Sequence, residues 1–191
     1  MGRPRAFDED QVVAQATEVF WSKGYRRTTP RDLLDATGLS KSSLYATFGN
    51  KQGLFLRALE RYIDTQEQGL RVSLSGDLRD VLERMYNMII ATATAEEPMS
   101  CIVCTASIEA DPCETDLVAH ITRSRERLEA VFAERFQRAQ REGELDADRD
   151  PVALARFVLN NNMGLIVQAR AGMSAQALHQ IAEQVVDAVC A

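Results

Sequence analysis

The chain has 191 residues, 46% of them hydrophobic, and a net charge of −6, enough material for one good core or for two small domains sharing an interface. No run approaches the ~18 apolar residues of a membrane span, and the opening MGRPRAFDEDQ lacks the apolar stretch of a signal peptide, so a cytoplasmic protein without membrane association is expected. A phosphate-binding Gly loop, a nucleophile elbow and paired Cys or His ligand spacing are missing, which argues against an enzyme and implies neither metal nor cofactor.

Gly2 to Arg5, GRPR, reads either as a basic arm in which Arg3 and Arg5 lie along a minor groove or as a solvated terminus. Asp8 is an N-cap for a helix whose Val12, Ala16, Val19 and Phe20 share one face, and Gly24 ends it. Asp32 to Lys51 then has the layout of a helix-turn-helix. Leu33, Leu34 and Ala36 supply apolar contacts, Gly38 tolerates the positive φ that closes a helix, Leu39 plugs the turn and Ser40 caps a second helix over Lys41–Thr47. In that helix Leu44 and Phe48, four apart, face inward together. Lys41, Ser42, Ser43, Tyr45, Ala46 and Thr47 are left outward. Small side chains at the start of an exposed helix let it approach base edges in a major groove, where long apolar ones would block it.

A long helix runs from Lys51 to about Val72, either a lever fixed to the reader or a passive strut. Asp77 caps the next, carrying Leu78, Val81, Leu82, Met85, Met88 and Ile89. Shorter Ser100–Glu109 is closed by Pro112, and Thr115–Arg141 is stopped by Gly143. Asp150-Pro151 is a strong helix start, an acidic cap with Pro at the first helical position, and Ser174 opens the last helix. The fold expected is therefore all-α, with no strand-like alternation to compete. Phe157, Val158, Leu159, Met163, Leu165, Ile166 and Val167 make one late helix apolar nearly all round, so it is covered on two sides, by a second subunit or within a monomeric bundle. Charge is uneven as well: residues 1–62 hold 10 Lys and Arg against 7 Asp and Glu, a balance of +3 that leaves −9 for the rest. A basic head on an acidic body suits contact with phosphate at one end.

Thr28 to Phe55, TTPRDLLDATGLSKSSLYATFGNKQGLF, resembles the DNA-binding signature of the TetR family of transcriptional regulators through Thr28, Thr29, Gly38, Leu39, Ser40, Leu44, Tyr45, Phe48 and Lys51. Ser42 and Thr47 depart from it, standing where Gly or Pro and His are frequent. The resemblance implies an N-terminal three-helix helix-turn-helix domain, residues 1–50 with the basic arm, joined by the long helix to a helical ligand-binding and dimerisation domain, residues 51–191. It also implies a homodimeric repressor, paired through its last two helices, that binds double-stranded DNA at a palindromic operator and is released by a small-molecule effector. The DNA-facing set is then Thr29, Lys41, Ser42, Ser43, Tyr45, Ala46, Thr47 and Lys51, with Arg3 and Arg5. Base edges fall to Lys41, Ser42, Ser43 and Ala46, and phosphates to Thr29, Tyr45 and Lys51.

For the effector pocket the candidate lining is Met85, Met88, Ile89, Met99, Cys101, Phe132, Phe136, Phe157 and Asn161, although Met and Phe at helical spacing also read as plain core. Asn160, Asn161 and Asn162 are unusual inside an apolar helix, since a buried amide needs partners. Ser100-Cys101-Ile102-Val103 is similar to a run in the electrophile- and oxidant-responsive NemR type of the family, with Ser for Gly. Cys101 and Cys104 are accordingly redox candidates, and the alternatives are a thiol sensor or an inert buried Cys.

Overall fold

The computed structural model describes residues 7–96 and 101–191, and among them every regular element is a helix. In chain order these are α1 (Glu9–Lys23), α2 (Pro30–Thr37), α3 (Lys41–Phe48), α4 (Lys51–Ser73), α5 (Leu78–Ala93), α6 (Ile102–Glu109), α7 (Thr115–Glu142), α8 (Pro151–Arg170) and α9 (Ala175–Cys190). None is long and apolar enough to cross a membrane. The all-α architecture expected from the sequence holds. Arg3, Arg5 and Met99, together with the predicted start of a helix at Ser100, lie outside the described residues.

Local chemistry sets most of the boundaries. The Asp8 carboxylate accepts from the amides of Asp10 and Gln11 and starts α1. Asp77 and Asp150 do the same for α5 and α8, the latter with Pro151 at the first position, and Ser174 caps α9. These side chains satisfy amides that a helix cannot satisfy itself.

The chain divides into two compact units, Met1–Asp64 with Ile102–Ser124, and Thr65–Cys101 with Arg125–Ala191. The division falls inside α4, past the expected residue 50, and α6 with the start of α7 goes to the first unit. In that unit Phe20, Phe55 and Tyr25 form an aromatic centre, with Phe20 and Phe55 edge to face at 4.9 Å and Tyr25 4.7 Å from Phe55. Leu33, Leu44, Leu54, Leu59 and Ile63 are buried in the same unit. In the second unit α5 packs against both α8 and α9. Tyr86, Phe132, Phe136, Val158, Leu165, Leu178 and Val189 are part of its core.

Candidate nucleic-acid interface

The α2–turn–α3 segment is built by caps at both ends of its turn. Thr29 and Asp32 form a reciprocal capping box: the Asp32 amide donates to the Thr29 hydroxyl at 3.2 Å, while the Thr29 amide donates to the Asp32 carboxylate at 2.8 Å. Lys23 also pairs with that carboxylate. The Lys23 ammonium first, then the Thr29 amide and hydroxyl, hold the Asp32 carboxyl well below the usual carboxylate range. Gly38 adopts the left-handed conformation, φ 66°, and donates its amide to the Leu34 carbonyl at 2.9 Å, stopping α2. Two residues later the Ser40 hydroxyl accepts from the Ser43 amide at 3.2 Å and opens α3. Leu44 and Phe48 are buried, as their spacing predicts.

What remains of α3 faces out. Lys41, Ser42 and Ala46 are exposed, and Ser43, Tyr45 and Thr47 are half-buried. Six of the expected DNA-facing side chains are thus gathered on one short helix. The hydroxyls of Ser40, Ser42 and Ser43 cluster at its N-terminus, with Ser40 at 3.0 Å from Ser42 and 2.9 Å from Ser43. Apart from Lys41 the outward side chains of the first turn of α3 are the small hydroxyls of Ser42 and Ser43, so that turn is low and polar.

Thr29 and Lys51, expected to meet phosphates, each make contacts within the reader. Thr29 is exposed, but its one hydroxyl proton goes to Asp32 at 2.7 Å. The Lys51 ammonium donates to the carbonyls of Tyr25 at 3.0 Å and Thr28 at 3.1 Å, and lies over the Tyr25 ring at 4.5 Å. Two of its three N–H groups are spent, and burial followed by repulsion from Arg26 pushes its pKa down. Lys51 therefore fastens the start of α4 to the α1–α2 turn, the use that its inward position favours over a phosphate contact.

A second fastening has no local signal in the sequence. The Arg26 amide donates to the Glu109 carboxylate at 2.9 Å, its Nε donates to the Glu109 carbonyl at 3.0 Å, and its guanidinium pairs with Glu114. The α1–α2 turn is tied in this way to the end of α6. A Cβ on Gly24 would stand 2.6 Å from the Glu109 carboxylate, so Gly at that position leaves room for the tie. The partners are 83 and 88 residues apart, and no local pattern links them.

The described candidate effector residues fall in different places. Met85, Phe132 and Phe136 are core, Ile89 packs at its edge, and Met88 is 59% exposed. Phe157 and Asn161 instead line an open groove of about 550 Å³ between α8 and α9, with Met173 and Ile181. Asn161 donates to the Phe157 carbonyl at 2.8 Å. Of the three adjacent amides it is Asn162 that is buried, donating weakly to the Met85 sulfur at 3.9 Å, while its Oδ1 meets no protein partner. Its place four residues after Val158 and three before Leu165, both buried, is the signal that marks Asn162 as the inward one. The buried Tyr86 hydroxyl is likewise unmatched, and desolvation pushes its pKa upward. Cys101 is half-buried just ahead of α6 and Cys104 is buried within it.

A capped two-helix reader with a small polar outer face, set in an all-helical chain, defines a helix-turn-helix transcriptional regulator. Residues 12–58 match the profile of the bacterial regulatory proteins of the tetR family, and residues 77–185 that of the tetracyclin repressor-like C-terminal domain. The HTH-type transcriptional repressor ComR of Escherichia coli (strain K12) is 32% identical over 95% of this chain and 88% of its own length. The uncharacterized HTH-type transcriptional regulator YezE of Bacillus subtilis (strain 168) is 31% identical over 89% and 90%. A solved structure of the TetR family regulator CifR, a cysteine mutant complexed with 26-bp double-strand operator DNA, is 31% identical, with a TM-score of 0.83 over 98% of this chain and 100% of that one. Reduced E. coli NemR shares the fold at 19% identity, with a TM-score of 0.81 over 92% and 93%. The chain belongs to the TetR family of transcriptional regulators.

Proposed function

We propose that the protein is a homodimeric repressor that holds a palindromic operator through α3 and releases it when a small-molecule effector binds the C-terminal part. The observation that carries this reading is the outward face of α3. Lys41, Ser42, Ser43 and Ala46 would meet base edges, and Tyr45, with Thr47 beside it, would meet phosphate together with the amides at the N-terminal end of α2. Thr29 and Lys51 set the pose of the reader, and Arg3 and Arg5 add contacts in the minor groove. The exposed Phe157, Val167 and Ile181 of α8 and α9 support pairing of two copies there. For the effector, the unmatched Asn162 Oδ1 and Tyr86 hydroxyl are polar handles in an otherwise apolar core. Work on an operator puts the protein in the cytoplasm, with the chromosome.

One observation favours a second input. Cys101 directly precedes α6, whose last residue, Glu109, holds Arg26 in the reader. Modification of that thiol would disturb the helix that carries the tie. Fluorescence anisotropy on an operator recovered by selection from random duplexes tests both readings. Tyr45→Ala is expected to lose at least about tenfold in affinity, the worth of a charge-assisted contact on each half-site. Retention of full affinity would contradict operator binding through α3. If a thiol oxidant releases wild type but not Cys101→Ser, the input is the thiol; if neither is released, the input is the reversible effector.

A further inference from the structure

The C-terminal half of α7 carries Glu134, Arg135, Arg138 and Arg141 at helical spacing, so they share one face. With Arg71 from the end of α4 they line a cavity of about 260 Å³ that has no part in the operator reading. Arg135 is innermost, its side chain 3% exposed. Its Nη2 donates to the Gly76 carbonyl at 2.8 Å and to the Glu144 carboxylate at 2.7 Å. Its Nε and Nη1 are buried and meet no protein acceptor, and the Nε of Arg138 is in the same position. The Arg138 Nη2 is used, donating to the Leu74 carbonyl at 2.8 Å, whereas its Nε stands 3.7 Å from the Glu142 carboxylate, too far for a hydrogen bond.

A guanidinium does not shed its proton at any physiological pH, so the charge stays in the wall of the cavity, and buried donors without acceptors are costly. Three carboxylates stand against the four guanidiniums, Glu134 paired with Arg71, Glu144 with Arg135 and Glu142 at 3.7 Å from Arg138, which leaves one positive charge in excess beside the three unmatched N–H positions. An oxyanion answers that imbalance. A planar carboxylate offers its oxygens along one fork, whereas the unmatched nitrogens here belong to two different guanidiniums and call for oxygens in several directions. We propose that this cavity binds a phosphate group, either inorganic phosphate or the phosphate of a small phosphorylated metabolite. Because Arg135 and Arg138 also hold the carbonyls of Gly76 and Leu74, the bound phosphate would brace α7 against the α4–α5 turn.

The test uses the full chain without DNA, so it stands or falls apart from operator binding. Isothermal titration and thermal melting are run with inorganic phosphate, glycerol phosphate, acetate and chloride at equal ionic strength. One phosphate is expected to bind per chain and to raise the melting temperature. Arg138→Gln should weaken it about ten- to a hundredfold, the loss of a charge-assisted hydrogen bond. Exposed Arg141→Gln carries the same test if Arg138→Gln fails to fold. Tighter binding of glycerol phosphate than of inorganic phosphate assigns the site to a phosphorylated metabolite, and the reverse assigns it to the free ion. Absence of binding, equal binding of acetate, or phosphate affinity unchanged in both variants would overturn the proposal and leave the buried N–H groups to water.

Discussion

Lys51 ties the start of α4 to the carbonyls of Tyr25 and Thr28 through its ammonium. Its place a few positions after the recognition helix suits a phosphate contact, yet two carbonyls and an aromatic face hold its ammonium. The structure therefore predicts that Lys51→Ala lowers stability by about 1–2 kcal/mol, the range for half-exposed charge-assisted hydrogen bonds. Operator binding should weaken with it. The slope of log affinity against log salt should stay put, since a lost phosphate contact flattens it by about 0.9. Melting and anisotropy across a salt series measure both. A flattened slope at unchanged melting temperature would return Lys51 to the phosphates.

Among elements, the junction of α3 and α4 sets where the recognition helix points. The Gly53 amide donates to the Asn50 side chain at 2.8 Å, and a Cβ on Gly53 would overlap the Phe48 carbonyl. Gly53→Ala is expected to push α3 and α4 apart, at a cost of about 1–3 kcal/mol and with loss of operator affinity. Gly69, further along α4, has nothing within 4 Å of where a Cβ would sit. Gly69→Ala should therefore stabilise by about 0.5–1 kcal/mol through helix propensity alone. Equal melting temperatures for the two variants would contradict this view of the junction.

The elements themselves were legible because their signals are local. Asp8, Gly38, Ser40 and Asp150 act within a turn of where they stand, and the structure uses each as its neighbours predict. The tie from Arg26 to Glu109 was not legible, because its partners meet only after folding. Nor was the effector lining. Met85, Phe132 and Phe136 carry the same apolar signature whether they pack together or surround a ligand, and here they pack. The outward set of α3 was readable from the spacing of Leu44 and Phe48, while the inward turn of Lys51 depends on the Tyr25 and Thr28 carbonyls brought in from an earlier helix end.

For the whole molecule the requirement is two readers at once. One α3 offers about two turns of helix, too little to choose a site alone, and the proposed pairing through α8 and α9 would join two such contacts into one event. Phe157 and Ile181, 41% and 37% exposed in the single chain, are available for that contact. Phe157→Glu with Ile181→Glu should leave helix content intact, give a monomer by analytical ultracentrifugation, and lower operator affinity at least about a hundredfold. A variant that remains dimeric would place the interface elsewhere. The charge balance suits such an arrangement, with +3 over residues 1–62 and −9 over the remainder.

If the outer face of α3 reads bases, wild type and Ala46→Gln select different sequences from random duplexes. The same palindrome and half-site spacing are expected with one base position per half-site changed, because the longer amide reaches an edge that Ala46 leaves free. An unchanged sequence preference in Ala46→Gln, or no palindrome in the wild-type selection, would contradict base reading by α3.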